Sequence, residues 1–69
     1  MRLSTRNQLS GTVTSINPRS VTTTVKVDVS GQEVAAAVTE EAVEDLGISV
    51  GDAVVVLVTS TEVMLAVED

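Results

Sequence analysis

The sequence predicts an all-β protein with one short helix, five strands in the order β-β-β-α-β-β around a small, partly open barrel. Three observations carry this expectation. Apolar and polar residues alternate through most of the chain, and 15 of the apolar ones are valine. Turn-forming residues recur at short intervals. A single stretch, residues 39–47, changes to the period of a helix.

Residues 11–16, GTVTSI, alternate polar with β-branched residues and read as a half-buried strand. NPRS at 17–20 is a turn, because Pro18 cannot donate to a ladder and Asn17 and Ser20 favour tight reversals. VTTTVKVDV at 21–29 places Val21, Val25, Val27 and Val29 on one face. SGQ at 30–32 marks a second turn, and EVAAAV at 33–38 a third strand whose alanines let a neighbouring backbone approach closely.

TEEAVEDLG at 39–47 carries the helix. Thr39 is placed to cap its N-terminus, and Glu40 and Glu41 suit the positive end of the dipole. Ala42, Val43 and Leu46 form an apolar stripe, and Gly47 supplies the stop. SVGD at 49–52 turns the chain into AVVVLV, 53–58, apolar enough to be buried on both faces. TST at 59–61 connects to a last strand, EVMLAV, at 62–67. With no linker and no internal repeat, residues 1–69 form one domain. Five short strands with a helix between the third and fourth suit a barrel of the OB type.

This domain has little with which to hold itself together. It contains no Phe, Tyr or Trp, the side chains that bury about 150–250 Å² each. It has no cysteine for disulfides and no histidine or cysteine for a structural zinc. A valine and alanine core in 69 residues is expected to be completed by oligomerisation.

Charge and residue chemistry narrow the function. Four cations stand against ten acids, for a net charge of −6, so an extended nucleic-acid surface is disfavoured. No apolar run is long enough to span a membrane, no signal-peptide pattern is present, and a cytoplasmic location is expected. Without Cys or His there is no thiol nucleophile, no imidazole base and no common transition-metal site. Adjacent acids such as Glu40 and Glu41 on a helix do not face one another and read as a solvated face. No enzyme activity is expected, and no cofactor. The remaining chemistry is binding. Hydroxyls, backbone N–H groups and a single arginine in STRN, 4–7, suit an anion better than a hard cation, which wants convergent carboxylates.

Three segments carry a family resemblance. STRNQLSGTV at 4–13 resembles the S-A-R-N-Q-L-x-G-x-V opening of molbindins, the Mop-type molybdate-binding proteins. AVTEEAVEDLGISVGDAV at 37–54 is similar to their I-T-x-x-A-V-x-x-L-G-L-x-x-G-x-x-V segment. TSTEVMLAVED at 59–69 is similar to the terminal K-A-T-S-V-M-V-G-V. The resemblance implies an OB-like fold with its N-terminal strand exchanged between two subunits, and a homohexamer built from three such dimers. It implies molybdate or tungstate bound at subunit interfaces for storage and homeostasis. The carried-over site comprises Ser4, Thr5 and Arg6 from one subunit, Thr39 and the N–H groups near Ala42 from another, and the turn at Thr59 and Ser60. Asn7 would brace this segment. A second site class would lie around Ser20, Val21 and Thr22. The chain departs from the pattern at Thr59, where the family usually has Lys, at Thr5 for a common Ala, and at Glu62 for a frequent Ser. Those departures keep a second reading open, a structural or regulatory module of the same fold with weakened oxyanion binding. A nucleic-acid-binding OB module is the third, disfavoured by charge and by the missing aromatics.

Overall fold

The first strand, β1 (Asn7–Pro18), is the spine of the computed structural model, which describes residues 6–68. It is longer than its alternating stretch at 11–16 because each half has its own partner. Residues 12–18 pair with β2 (Thr23–Val29), and residues 7–12 pair with β4 (Ala53–Val58), both antiparallel. β3 (Gln32–Val38) extends the sheet beyond β2, giving the order β3-β2-β1-β4. Pro18 closes the β1–β2 pairing opposite Thr23, so the turn falls at 19–22 rather than at 17–20.

The alternation in β1 slips by one residue between Val13 and Ser15. Thr14 is the extra residue, and its hydroxyl donates to the Lys26 carbonyl at 3.2 Å. The bulge lets Val13 and Ile16, three apart in sequence, both serve the core. Gly11 answers a different constraint: a Cβ there would stand 2.6 Å from the Asp28 carbonyl oxygen and from Val27 Cγ1. The hairpin joining β2 and β3 turns through Ser30 and Gly31, with φ of 51° and 86°.

Helix α1 (Glu40–Leu46) forms where its period and caps place it. The Ala42 N–H donates to Thr39 Oγ1 at 3.0 Å. At the other end Gly47, at φ 64°, lets its own N–H reach the Glu44 carbonyl. The following turn is tied to the sheet, since Gly51 N–H donates to the Val13 carbonyl and Val13 N–H to the Asp52 carbonyl.

Val13, Val25 and Val27 are the fully buried apolar residues, with Ile16, Val38, Val43 and Val56 among those packed around them. Residues of all four strands and of α1 line one apolar groove of about 200 Å³. The architecture is the expected OB-like, mostly β fold with one helix, built on a four-stranded sheet among the described residues.

Four expectations change. Val21 precedes β2 and is 84% exposed; buried Thr23 takes the inward position beside Val25 and Val27. The outward face of β4 is not buried, with Val55 43% exposed, because no second layer covers it among the described residues. Leu46 contributes to the groove, yet it is mostly exposed. A fifth strand at 62–67 is not formed among the described residues. Ser60–Glu62 make a single 3-10 turn, and residues 63–68 run on outside any ladder, with Met64 93% and Leu65 94% exposed. A strand exists through its neighbour's hydrogen bonds, and the described residues offer this segment none.

Candidate oxyanion site

The predicted site residues fall into two groups at opposite ends of β1. Ser4 and Thr5 lie outside the described residues. Arg6 is the residue just before β1, and the ladder below it ends on the pair Asn7 and Val58. Arg6 and Thr59 therefore flank the last rung of the sheet. Thr59 is extended, at φ −71° and ψ 149°, and starts the 3-10 turn without spending its side chain on a cap. Its hydroxyl instead lies 3.4 Å from that of Thr61, and its carbonyl accepts the Glu62 N–H at 3.0 Å. Arg6 on one side of this rung, and Thr59, Ser60, Thr61 and Glu62 on the other, are all exposed.

The other group stands at the far end. Val38 pairs with Thr23, and Thr23 with Pro18, so Thr39 lies beside the turn that contains Ser20, Val21 and Thr22. That turn is held by Arg19 N–H donating to the Thr22 carbonyl at 2.7 Å. Sequence reasoning treats Thr39 and Ser20–Thr22 as unrelated and passes over Arg19, the cation beside them. Only the register of three strands joins these residues, and no local motif announces it.

The Ala42 N–H, expected to be open to a ligand, is already engaged by Thr39 Oγ1. The Val43 N–H is likewise taken, by the Thr39 carbonyl at 3.2 Å. Thr39 keeps its hydroxyl proton, because as a cap its oxygen only accepts. Glu40 and Glu41 stabilise the helix start, and their charge opposes an anion at the same place.

The two groups do not meet within one chain. β1 carries 12 residues between them, a run on the order of 30 Å even allowing for its bulge. A tetrahedral anion spans only a few ångströms, so an anion touching both groups must lie between two copies. No cluster of three or more His, Cys, Asp or Glu able to hold a cation occurs among the described residues. Among the described residues no helix is long and apolar enough to cross a membrane.

Comparison with known proteins gives a consistent picture. The TOBE domain family model matches residues 3–65. A probable molybdenum-pterin-binding protein of Haemophilus influenzae is 39% identical over 69 residues, covering 99% of this chain and 100% of its own length. Molybdenum-pterin-binding protein 3 of Clostridium pasteurianum is 33% identical over 66 residues, 94% of this chain and 97% of that protein. Among solved structures, a molybdate-binding protein from Sporomusa ovata superposes with a TM-score of 0.90 at 38% identity, covering 96% of this chain and 98% of the other. MopII from Clostridium pasteurianum superposes at 0.88 with 31% identity, covering 96% and 100%.

Proposed function

We propose that this chain, which belongs to the TOBE domain family as a Mop-type molbindin, binds molybdate at interfaces between its own copies. The observation that carries the reading is the corner where Arg6 stands beside the Thr59–Thr61 hydroxyls. Molybdate is a tetrahedral dianion that offers only acceptor oxygens. Hydroxyls and a guanidinium offer donors, and the guanidinium adds charge-assisted bonds.

The assembly follows from unfinished surfaces. Among the described residues three valines make up the buried apolar core, the groove stays open, β4 shows an apolar outer face, and an apolar segment at 63–67 has no ladder. A second copy covers these surfaces at little cost, since each sheet edge and each extended segment is a template for pairing. Strand exchange within dimers, and three dimers in a hexamer, is the assembly we infer. In it Ser4, Thr5 and Arg6 of one subunit and Thr39 of another share an oxyanion, Thr59 and Ser60 complete the shell, and Ser20, Val21 and Thr22 border a second site.

The protein acts by equilibrium binding, without cofactor and without covalent chemistry, and buffers molybdate, or tungstate, in the cytoplasm. Hydroxyls orient the tetrahedron and Arg6 supplies the positive charge. Native mass spectrometry with molybdate titration tests this reading. A hexamer that takes up oxyanion supports it, and a monomer that takes up none at millimolar molybdate refutes it.

A second reading has its own observation. Position 59 carries a hydroxyl where the family usually carries an ammonium, and Glu62 sits in the same turn. A structural or regulatory module that has kept the fold and lost tight binding would look the same at this corner. Calorimetry separates the two, because such a module assembles but releases no heat with molybdate.

A further inference from the structure

We propose that Glu62 offsets the charge of the site's own cation, so that the Arg6 corner holds a dianion more weakly than an uncompensated guanidinium would. The inference rests on the oxyanion reading given above and specifies how that site is tuned.

The charge distribution at this corner is unusually simple. β1 carries no charged residue from Asn7 to Pro18, and β4 carries none from Ala53 to Val58. The exposed segment from Val63 to Val67 carries none either, with Glu68 next along the chain. Among the described residues of the elements that meet here, the charged groups before Glu68 are Arg6 and Glu62. They have opposite signs.

Their separation is bounded by the backbone. Glu62 N–H donates to the Thr59 carbonyl at 3.0 Å, the signature of a single tight turn. The ends of such a turn lie within about 7 Å of each other at Cα. Thr59 in turn flanks the rung beside Arg6. Any oxyanion on the Thr59 and Ser60 hydroxyls is thus within about one Debye length of the Glu62 carboxylate, whichever way that side chain points. A unit charge about 7–8 Å from a dianion at an exposed site changes its affinity by about three- to tenfold.

The function of this arrangement is release. A site with a full positive charge holds a dianion tightly at low ligand concentration. A site whose charge is offset exchanges it more readily and responds to ligand at higher concentration, as a buffer requires.

Calorimetric titration of the full chain with sodium molybdate, at several salt concentrations, tests the proposal on E62Q and on E33Q. The second variant removes the same charge at the far side of β3. The expected result is a three- to tenfold gain in affinity for E62Q, with binding that weakens as salt rises, and affinity within twofold of the parent for E33Q. Equal gains in both variants would overturn the proposal, since they would report only the net charge of −6. An unchanged E62Q would overturn it as well. Absence of molybdate uptake by the parent and both variants, with the fold and assembly intact by circular dichroism and light scattering, refutes the oxyanion reading itself and is distinct from either result.

Discussion

Ala42 donates its backbone N–H to Thr39 Oγ1 across 3.0 Å, and that bond, with the Val43 N–H on the Thr39 carbonyl, ties the start of the helix to the end of β3. Thr39 is therefore a structural cap and a candidate ligand at once. T39A removes both roles and is expected to lower stability by about 1 kcal/mol, within the range for lost N-caps. T39S keeps the oxygen and is expected to recover most of that loss. Urea denaturation followed by circular dichroism separates the two, and equal stability of T39A and the parent contradicts the cap.

Gly11 and the Asp28 carbonyl set a second test. A methyl at position 11 would sit 2.6 Å from that oxygen, and a backbone atom cannot move aside as a side chain does. G11A is expected to destabilise by about 1–3 kcal/mol, as overpacked sites do. S10A, one residue earlier on the exposed face, is expected to stay within about 0.5 kcal/mol of the parent. A G11A protein as stable as the parent would show that β1 and β2 can separate without cost.

The charge at the Arg6 corner is testable from the opposite side. R6Q removes the guanidinium, and losing a charge-assisted bond costs about 1.5–3 kcal/mol. Molybdate affinity is expected to fall about ten- to a hundredfold. T59K adds a cation beside the same rung and is expected to raise affinity by a similar factor. If calorimetry finds both variants unchanged, the ligand binds elsewhere.

Leu65, 94% exposed in one chain, tests the assembly. A solvated leucine loses nothing on becoming Asp, whereas one covered by a second copy places a charge in an apolar interface. L65D is expected to shift the mass measured by light scattering from hexamer toward smaller species, with secondary structure kept. A hexamer of unaltered stability would mean that this segment lies outside the contacts.

What can be read directly from the residues is local. Thr39, the acids after it and Gly47 define the helix within nine positions, because capping and dipole effects act over one turn. Ser30–Gly31 and SVGD at 49–52 are turns for the same reason: the conformations they need are a property of a few adjacent residues. Alternation places Val13, Val25 and Val27 in the core, as a period of two must when one face is wet. The donor types around Arg6 are of the kind an anion takes, and it is the family resemblance that favours this over a capped turn with a solvated arginine.

Other features depend on residues far away in sequence. The bulge at Thr14 and the extension of β1 to Asn7 are hidden, because each is decided by which strand lies alongside. AVVVLV is too apolar for one wet face, and EVMLAV is strand-like in pattern, yet among the described residues the first has one partner strand and the second none. Their apolar character is what the proposed assembly with another copy would use. Arg6 beside Thr59, and Thr39 beside Ser20–Thr22, likewise come from strand register. The amino-acid sequence by itself determined the helix, the turns' approximate places and the core valines, since these rest on short-range preference and side-chain chemistry. Tertiary structure alone decided which donors share a corner and which surfaces stay open, since both depend on contacts across the sheet.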